Sequence, residues 1–285
     1  MSLLSPSFMA RLASLQVNSR YRLVGRFGGE HTSRRYGSTV DFADFREYHP
    51  GDDFRRIDYH VLARLDQVLI KLYEADDDVT VRILIDTSGS MAIGGKLEQA
   101  QRLAAALGFL SLSAHDSVTV HAFPSRSPAP RFSGRASVPA LMSYLEGLQA
   151  SGRTPFSDAA GSLLSQSSVP GITVLISDLL TTQWESLVRL RAGGSDLLVI
   201  HLTCQEDLDP KYAGDLELVD REDGKRLTVS VTEDVARSYR TRVADWREGV
   251  KAATVASGGT YLEVDADADV EDLLLRGWRQ AGVLR

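Results

Sequence analysis

Val79-Thr80-Val81-Arg82-Ile83-Leu84-Ile85 runs directly into Asp86-Thr87-Ser88-Gly89-Ser90-Met91. The first seven residues form a short, β-branched, mostly apolar run, the pattern of a strand covered on both faces. The next six put a carboxylate and, at two-residue steps, two hydroxyls on the turn leaving that strand. Three hard oxygen donors on one short loop suit a small divalent cation such as Mg²⁺ or Mn²⁺, which prefers octahedral oxygen coordination.

Outward from this junction the pattern alternates. Leu97, Ala100, Leu103, Ala104, Leu107, Leu110 and Ala114 keep helical spacing, and Val118–Phe123 reads as a strand. Segments 137–149 and 156–167 read as helices entered through Pro139 and Pro155. Ile172–Ser177 and Leu197–Leu202 are apolar enough to be buried strands, with a helix over 184–192 between them. Two strand-like pieces over 215–231 flank Arg221-Glu222-Asp223-Gly224, a good hairpin turn. A long amphipathic helix through Val235–Val250, a strand at Thr260–Val264 and a helix over 270–280 close the chain. Strands alternating with helices imply an α/β fold with a doubly wound, mainly parallel sheet, Rossmann-like in its winding. Upstream, Val68–Tyr73 reads as a strand, Met1–Val17 as a short amphipathic helix, and residues 20–75 as dense in charge and broken by glycine. The expected organisation is an amino-terminal segment over 1–75, part of a small β-rich appendage, and a main domain over 76–285 carrying a hairpin insertion near 207–231. The hairpin is expected to join the appendage.

Bulk properties narrow the function. The 285 residues are 43% apolar and 25% charged, an ordinary globular mixture with room for a large core. A net charge of -6 argues against general nucleic-acid binding, which needs a basic surface. A single cysteine, Cys204, excludes an internal disulfide and fits a reducing compartment. No apolar run approaches the roughly 20 residues of a membrane helix, and no signal-peptide core is present. A cytoplasmic location follows as the expectation, without direct membrane insertion.

In open parallel sheets, ligands gather outside the carboxyl ends of the strands. Asp86 ends one candidate central strand, Ser177-Asp178 ends another, and Thr154 sits on a loop before a helix. Asp86, Ser88, Ser90, Thr154 and Asp178 are therefore expected to converge on one rim. Two carboxylates about 5 Å apart at an effective dielectric near 20 repel by roughly 3 kcal/mol, and a dication between them reverses the sign. Each residue alone also has a structural role open to it: Ser88 and Ser90 can cap the next helix, Thr154 before Pro155 is a good N-cap, and Asp178 can cap a helix near 183. Their joint order at strand ends is what points to a cation.

This order, Asp86-x-Ser88-x-Ser90 with a later Thr154 and an Asp178 closing an apolar strand, resembles the metal-ion-dependent adhesion site of von Willebrand factor A domains over residues 79–285. The resemblance implies that Ser88, Ser90 and Thr154 touch the metal, that Asp86 and Asp178 act largely through water, and that a partner's carboxylate completes the octahedron. It implies a binding module with no catalytic residues. A second resemblance lies upstream, in Gly29–Ser38, Asp41–Tyr48, Pro50-Gly51-Asp52-Asp53, Arg55-Arg56-Ile57-Asp58-Tyr59 and Ala63-Arg64. It is similar to the bacterial family known as domain of unknown function 58, in which such a segment joins a von Willebrand A-like domain; Tyr59 stands where that family usually has tryptophan. This family resemblance implies work beside a MoxR-type AAA+ ATPase and a client protein, as an adaptor or chaperone-like module. Arg46, Asp52, Asp53, Arg55, Arg56 and Arg64 are the candidate partner-binding residues; the same charges also read as an internal salt-bridge lattice docking the segment on the main domain.

Rival chemistries fit less well. Ser88–Lys96 lies where a phosphate loop would be, but Ser90 replaces the first glycine and Leu97 follows Lys96. No G-x-S-x-G elbow occurs, and the six histidines show no paired zinc spacing. The remaining enzymatic alternative is a Mg²⁺-dependent hydrolase of phosphoesters, for which no general base or cationic clamp is evident.

Overall fold

The structure, a computed structural model, describes residues 3–19, 40–48, 57–65, 68–75, 80–124, 128–153, 171–181, 184, 187–190 and 195–278. The chain divides into two units, Met1–Gly29 with Val79–Arg285 and, separately, Glu30–Asp78. The larger unit starts with helix α1 (Pro6–Ser19), capped where Ser5 Oγ accepts a bond from Phe8 N at 3.1 Å. The smaller unit pairs strand β1 (Val40–Glu47) antiparallel with β2 (Leu69–Ala75), with helix α2 (Tyr59–Leu65) between them in sequence. Neither β1 nor α2 was expected: four charged residues in β1 weaken its apolar signal, and seven residues give α2 too short a period to read.

The larger unit is built on a six-stranded sheet. In chain order its strands are β3 (Thr80–Asp86), β4 (Ser117–Phe123), β5 (Arg131–Ser133), β6 (Gly171–Ser177) and β7 (Asp196–Thr203), followed after the hairpin β8 (Gly214–Val219) and β9 (Arg226–Val231) by β10 (Thr260–Asp265). The spatial order is β10-β7-β6-β3-β4-β5; every pairing is parallel except that of the short edge strand β5 with β4. The hairpin, expected to join the appendage, forms its own two-stranded antiparallel sheet and belongs to the larger unit.

Alternation along the strands sorts their side chains into two apolar layers. Ile83, Ile85, Val174, Ile176, Leu198 and Ile200 pack on one face with Phe8 and Leu12 of α1, with α3 (Lys96–Ser113) and with Leu141 and Leu145 of α4 (Val138–Glu146). Leu84, Leu175, Leu197 and Val199 pack on the other with Leu187 and Leu190 of the short helix α5 (Leu187–Leu190). Beyond the four-residue helix α6 (Gln205–Leu208) and the hairpin, Val250 of α7 (Glu233–Ala256) completes that second layer. Thr232 caps α7 by accepting from Val235 N, and Glu233 and Asp234 sit in its positive first turn. The chain leaves β3 to form β4 on one side, then returns to place β6 on the other. The order reverses there, which opens a crevice at the carboxyl ends of β3 and β6. The last expected helix changes pitch partway: one turn, Val270–Asp272, passes into a π-helical turn, Leu273–Gly277, with Trp278 still helical. The helix expected over 156–167 lies outside the described residues.

Candidate functional site

Parallel register brings the ends of three strands level. Ile85 stands opposite Ile176, and Ser177 opposite His201. Asp86, next along β3, therefore meets Ser177, whose Oγ donates to Asp86 Oδ2 at 2.5 Å. Asp86 Oδ1 accepts from Ser88 N at 2.9 Å, which folds the loop back onto its own carboxylate. Thr87 anchors the loop from below: its N and Oγ1 both donate to Phe123 O, at 2.7 and 2.8 Å. The hydroxyls of Ser88 and Ser90 end 3.1 Å apart.

The loop leading to Thr154 is tied to the same turn, with Gly89 N donating to Gly152 O at 3.0 Å and Ser151 N to Thr87 O at 2.7 Å. Thr154 itself lies outside the described residues. Asp178 lies beside the site, and its turn is clamped from several directions. Leu179, at φ +50°, adopts a left-handed conformation that costs a bulky residue on the order of 1 kcal/mol or more. Leu179 N donates to Ser177 Oγ at 2.9 Å, and Leu179 O accepts from Trp246 Nε1 of α7 at 3.1 Å. His201 Nε2 donates to the Asp178 carbonyl at 3.0 Å, which leaves Nδ1 to accept from the Tyr261 hydroxyl at 2.8 Å. Burial pushes the His201 pKa down to about 4, so the ring is neutral and holds this tautomer.

Lys96 was not anticipated as a site residue. Its side chain is fully buried, and its ammonium bonds Asp178 Oδ2 at 2.8 Å and Asp207 Oδ2 at 2.7 Å. Burial alone would lower its pKa, but the two carboxylate charges outweigh that and hold it above the ordinary lysine value. A sequence signal existed: Lys96 is in phase with Ala100, Leu103, Leu107 and Leu110 on the buried face, where a lysine needs an acidic partner. Gly94 lets the chain approach this closely, because a Cβ there would lie 2.5 Å from Cys204 Sγ. Cys204 is buried at the end of β7, and that burial pushes its thiol up to about 12.

Charges in the site are unequally matched. Asp178 and Asp207 share Lys96, whereas Asp86 has no cationic partner among the described residues. Burial, followed by the charge of Asp178, pushes the Asp86 carboxyl up to about 6 despite its bonds from Ser177 and Ser88. The donor set fits a small dication. A metal–oxygen distance of about 2.1 Å gives an octahedron edge of about 3.0 Å, close to the separation of the two serine hydroxyls. Among the described residues, no three His, Cys, Asp or Glu side chains gather as a cation cage, so hydroxyls and water would supply most of the ligands.

Asp86, Ser88, Ser90, Ser177 and Asp178 line one cleft of about 810 Å³, together with Asp207, Glu222, Arg153 and Arg242. Leu179, Leu180, Tyr239, Val243 and Trp246 supply its apolar wall. Of the candidate partner-binding residues in the smaller unit, Arg46 lies in β1 opposite Ile70, and Arg64 is exposed in the last turn of α2. Asp52, Asp53, Arg55 and Arg56 lie outside the described residues.

Comparison with known proteins gives relatives without assigned functions. A family model described as "Protein of unknown function DUF58" matches residues 44–249. The uncharacterized proteins Rv1480 of Mycobacterium tuberculosis and Mb1516 of Mycobacterium bovis are each 24% identical over 274 residues, spanning 93% of this chain and 86% of theirs. Among solved structures, the conserved hypothetical protein BatB from Bacteroides thetaiotaomicron is similar with a TM-score of 0.44 and 18% identity, over 71% of this chain and 98% of that one. An aerotolerance-related membrane protein from Bacteroides fragilis gives a TM-score of 0.42 and 16% identity, over 72% and 98%. In the present chain, no helix among the described residues is long and apolar enough to cross a membrane.

Proposed function

The chain belongs to the DUF58 family, and from that membership we propose that it is a cation-gated protein-binding module rather than an enzyme. Its larger unit works as a von Willebrand A-like domain in which Ser88 and Ser90 hold Mg²⁺ or Mn²⁺ directly, Asp86 and Asp178 hold it through water, and Thr154 adds a further hydroxyl. The bound dication supplies an attraction for a carboxylate on a partner protein. The chain's own residues do the rest. Ser177 and Ser88 N orient Asp86, Lys96 fixes Asp178, and the apolar wall of Trp246, Leu179 and Val243 receives the side chains flanking the partner's acid. The partner is a MoxR-type AAA+ ATPase, for which this protein acts in the cytoplasm as an adaptor or chaperone-like module delivering a client protein.

One observation carries this reading: the Ser88 and Ser90 hydroxyls stand 3.1 Å apart beside Asp86, a buried carboxylate with no cationic partner among the described residues. Calorimetric titration with Mn²⁺ tests it. Binding is expected in the native chain and is lost in Ser88→Ala plus Ser90→Ala; identical heats in both would sink the module. A second reading, the Mg²⁺-dependent phosphoester hydrolase, gains one observation, since Arg242 lines the cleft and could meet a phosphate. Mg²⁺-dependent turnover of a generic phosphoester that disappears in Asp86→Ala would favour it.

A further inference from the structure

The tip of the β8–β9 hairpin lies against the Asp86–Ser90 loop. The approach is backbone to backbone: a Cβ on Gly89 would stand 2.7 Å from the carbonyl oxygen of Arg221. Arg153 clamps the same tip, its Nε 3.2 Å from Glu222 Oε2 and its guanidinium 3.8 Å from Asp223 Oδ2. Arg153 follows Ser151 and Gly152, which are bonded to the loop, so the tip is gripped from two directions. The tip is also preformed. Asp220 Oδ1 accepts from Glu222 N at 2.7 Å and from Asp223 N at 3.4 Å, and Gly224 turns the chain at φ +71°. By contrast, the hairpin's strands are almost wholly exposed. Among the described residues the strands rest on no broad apolar face, so few of their contacts would be lost if the tip moved.

Glu222 lines the cleft with Asp86, Ser88, Ser90 and Asp178, and its side chain is 22% exposed. Burial leads the causes that raise its pKa, and the charge of Asp178 is among them, which puts the two carboxylates within each other's field. Arg153 offsets this in part. A carboxylate that lines the cleft beside a hydroxyl-and-aspartate cluster is the same chemical group that, on the reading above, a partner brings to it from outside.

We propose that Glu222 is the chain's own occupant of the coordination position that a partner's carboxylate takes, so that hairpin and partner compete for one site. This rests on the cation-gated reading above and adds a gate to it. A partner engages only by lifting the tip, which also separates Glu222 from Arg153. The competitor is therefore an acidic side chain on a protein surface, matched in chemistry to Glu222.

The test uses the full chain and Mn²⁺ alone, whose paramagnetism reports both affinity and the number of exchangeable bound waters through water-proton relaxation. The native protein is compared with Glu222→Gln and with Asp223→Asn, which removes the same charge one residue away. Glu222→Gln is expected to weaken Mn²⁺ by about tenfold or more, as loss of a ligand should. It should also add one exchangeable water, which added acetate then displaces. Asp223→Asn should stay within about twofold of native, given how little exposed charges contribute. If Glu222→Gln binds Mn²⁺ as the native chain does, with the same water count, the inference fails while the module stands. Equal losses in both variants would reduce the effect to the general charge of the tip and also overturn it. If none of the three proteins binds Mn²⁺, the cation-gated reading falls and the inference with it.

Discussion

The rim at the ends of β3 and β6 and the hairpin at 214–231 use the same kinds of side chain in opposite surroundings. At the rim, Lys96 is fully enclosed with Asp178 and Asp207, and Asp86 is buried against Ser177. On the hairpin, Arg226 meets Glu217 and Lys225 meets Asp223, with basic partners that are more than two-thirds exposed. Water screens the second set, so each pair contributes little. Enclosure makes the first set compulsory, because removing one member strands the others in a medium that solvates charge poorly. The rim therefore holds fixed geometry, and the hairpin's own ion pairs do little to hold it in place.

The sharpest way to break this contrast is Lys96→Met, which keeps the stem and deletes the charge. Two enclosed carboxylates lose their cation, and the urea unfolding midpoint should fall by an amount equivalent to about 3–5 kcal/mol. A loss below about 1 kcal/mol would mean that the rim is wet and the distinction false.

Acid titration in chelator separates two rim groups whose effects oppose. The folded state raises the Asp86 carboxyl to about 6 from 3.8. The folded protein thus binds this proton more tightly than the unfolded chain, and stability falls as pH rises between those values. The folded state lowers His201 to about 4 from 6.5. Here the unfolded chain binds the proton more tightly, and stability rises with pH over that window. Each is worth roughly 3 kcal/mol, so the native protein should be nearly flat from pH 4 to 6. His201→Gln should unmask a fall of roughly that size with rising pH, and Asp86→Asn a rise. Parallel slopes in both variants would refute the assignment.

A smaller effect is expected where the regions touch. In Gly89→Ala the new methyl meets the Arg221 carbonyl, so the tip must shift, at about 1 kcal/mol. Amide exchange over residues 221–224 should quicken while that of β3 stays unchanged; equal protection at the tip would show that it does not rest on Gly89. The smallest effect is expected on the hairpin itself. Arg226→Ala removes a pair bonded at 3.0 Å, yet stability should change by no more than about 0.5 kcal/mol. A larger drop would sharpen the picture toward a hairpin that is locked.

Much of the fold could be read in advance wherever apolar residues repeat over a whole element. β3, β4, β6, β7 and α3 each lie within a residue or two of their apolar runs. β5, with three residues, and α2, with seven, give no period to detect. The last helix shows why pattern misses backbone detail: its spacing continues past Asp272, but the chain widens into a π turn. At the site, Asp86, Ser88 and Ser90 were legible because they share one turn after one buried strand. Lys96, Ser177 and Glu222 were not, because each gains its role from a partner distant in sequence.

Local patterning by itself determined which segments are strands, which face of each helix is apolar, and that a carboxylate and two hydroxyls leave β3 together. Those properties depend on neighbours a few residues away, through helical and strand periodicity. The packing of distant segments settled that Lys96 serves Asp178 and Asp207, that Asp86 goes without a cation among the described residues, and that the hairpin tip sits on Gly89. Charge pairing among distant segments depends on strand order and register, and in a buried rim a few ångströms determine which carboxylates reach the Lys96 ammonium.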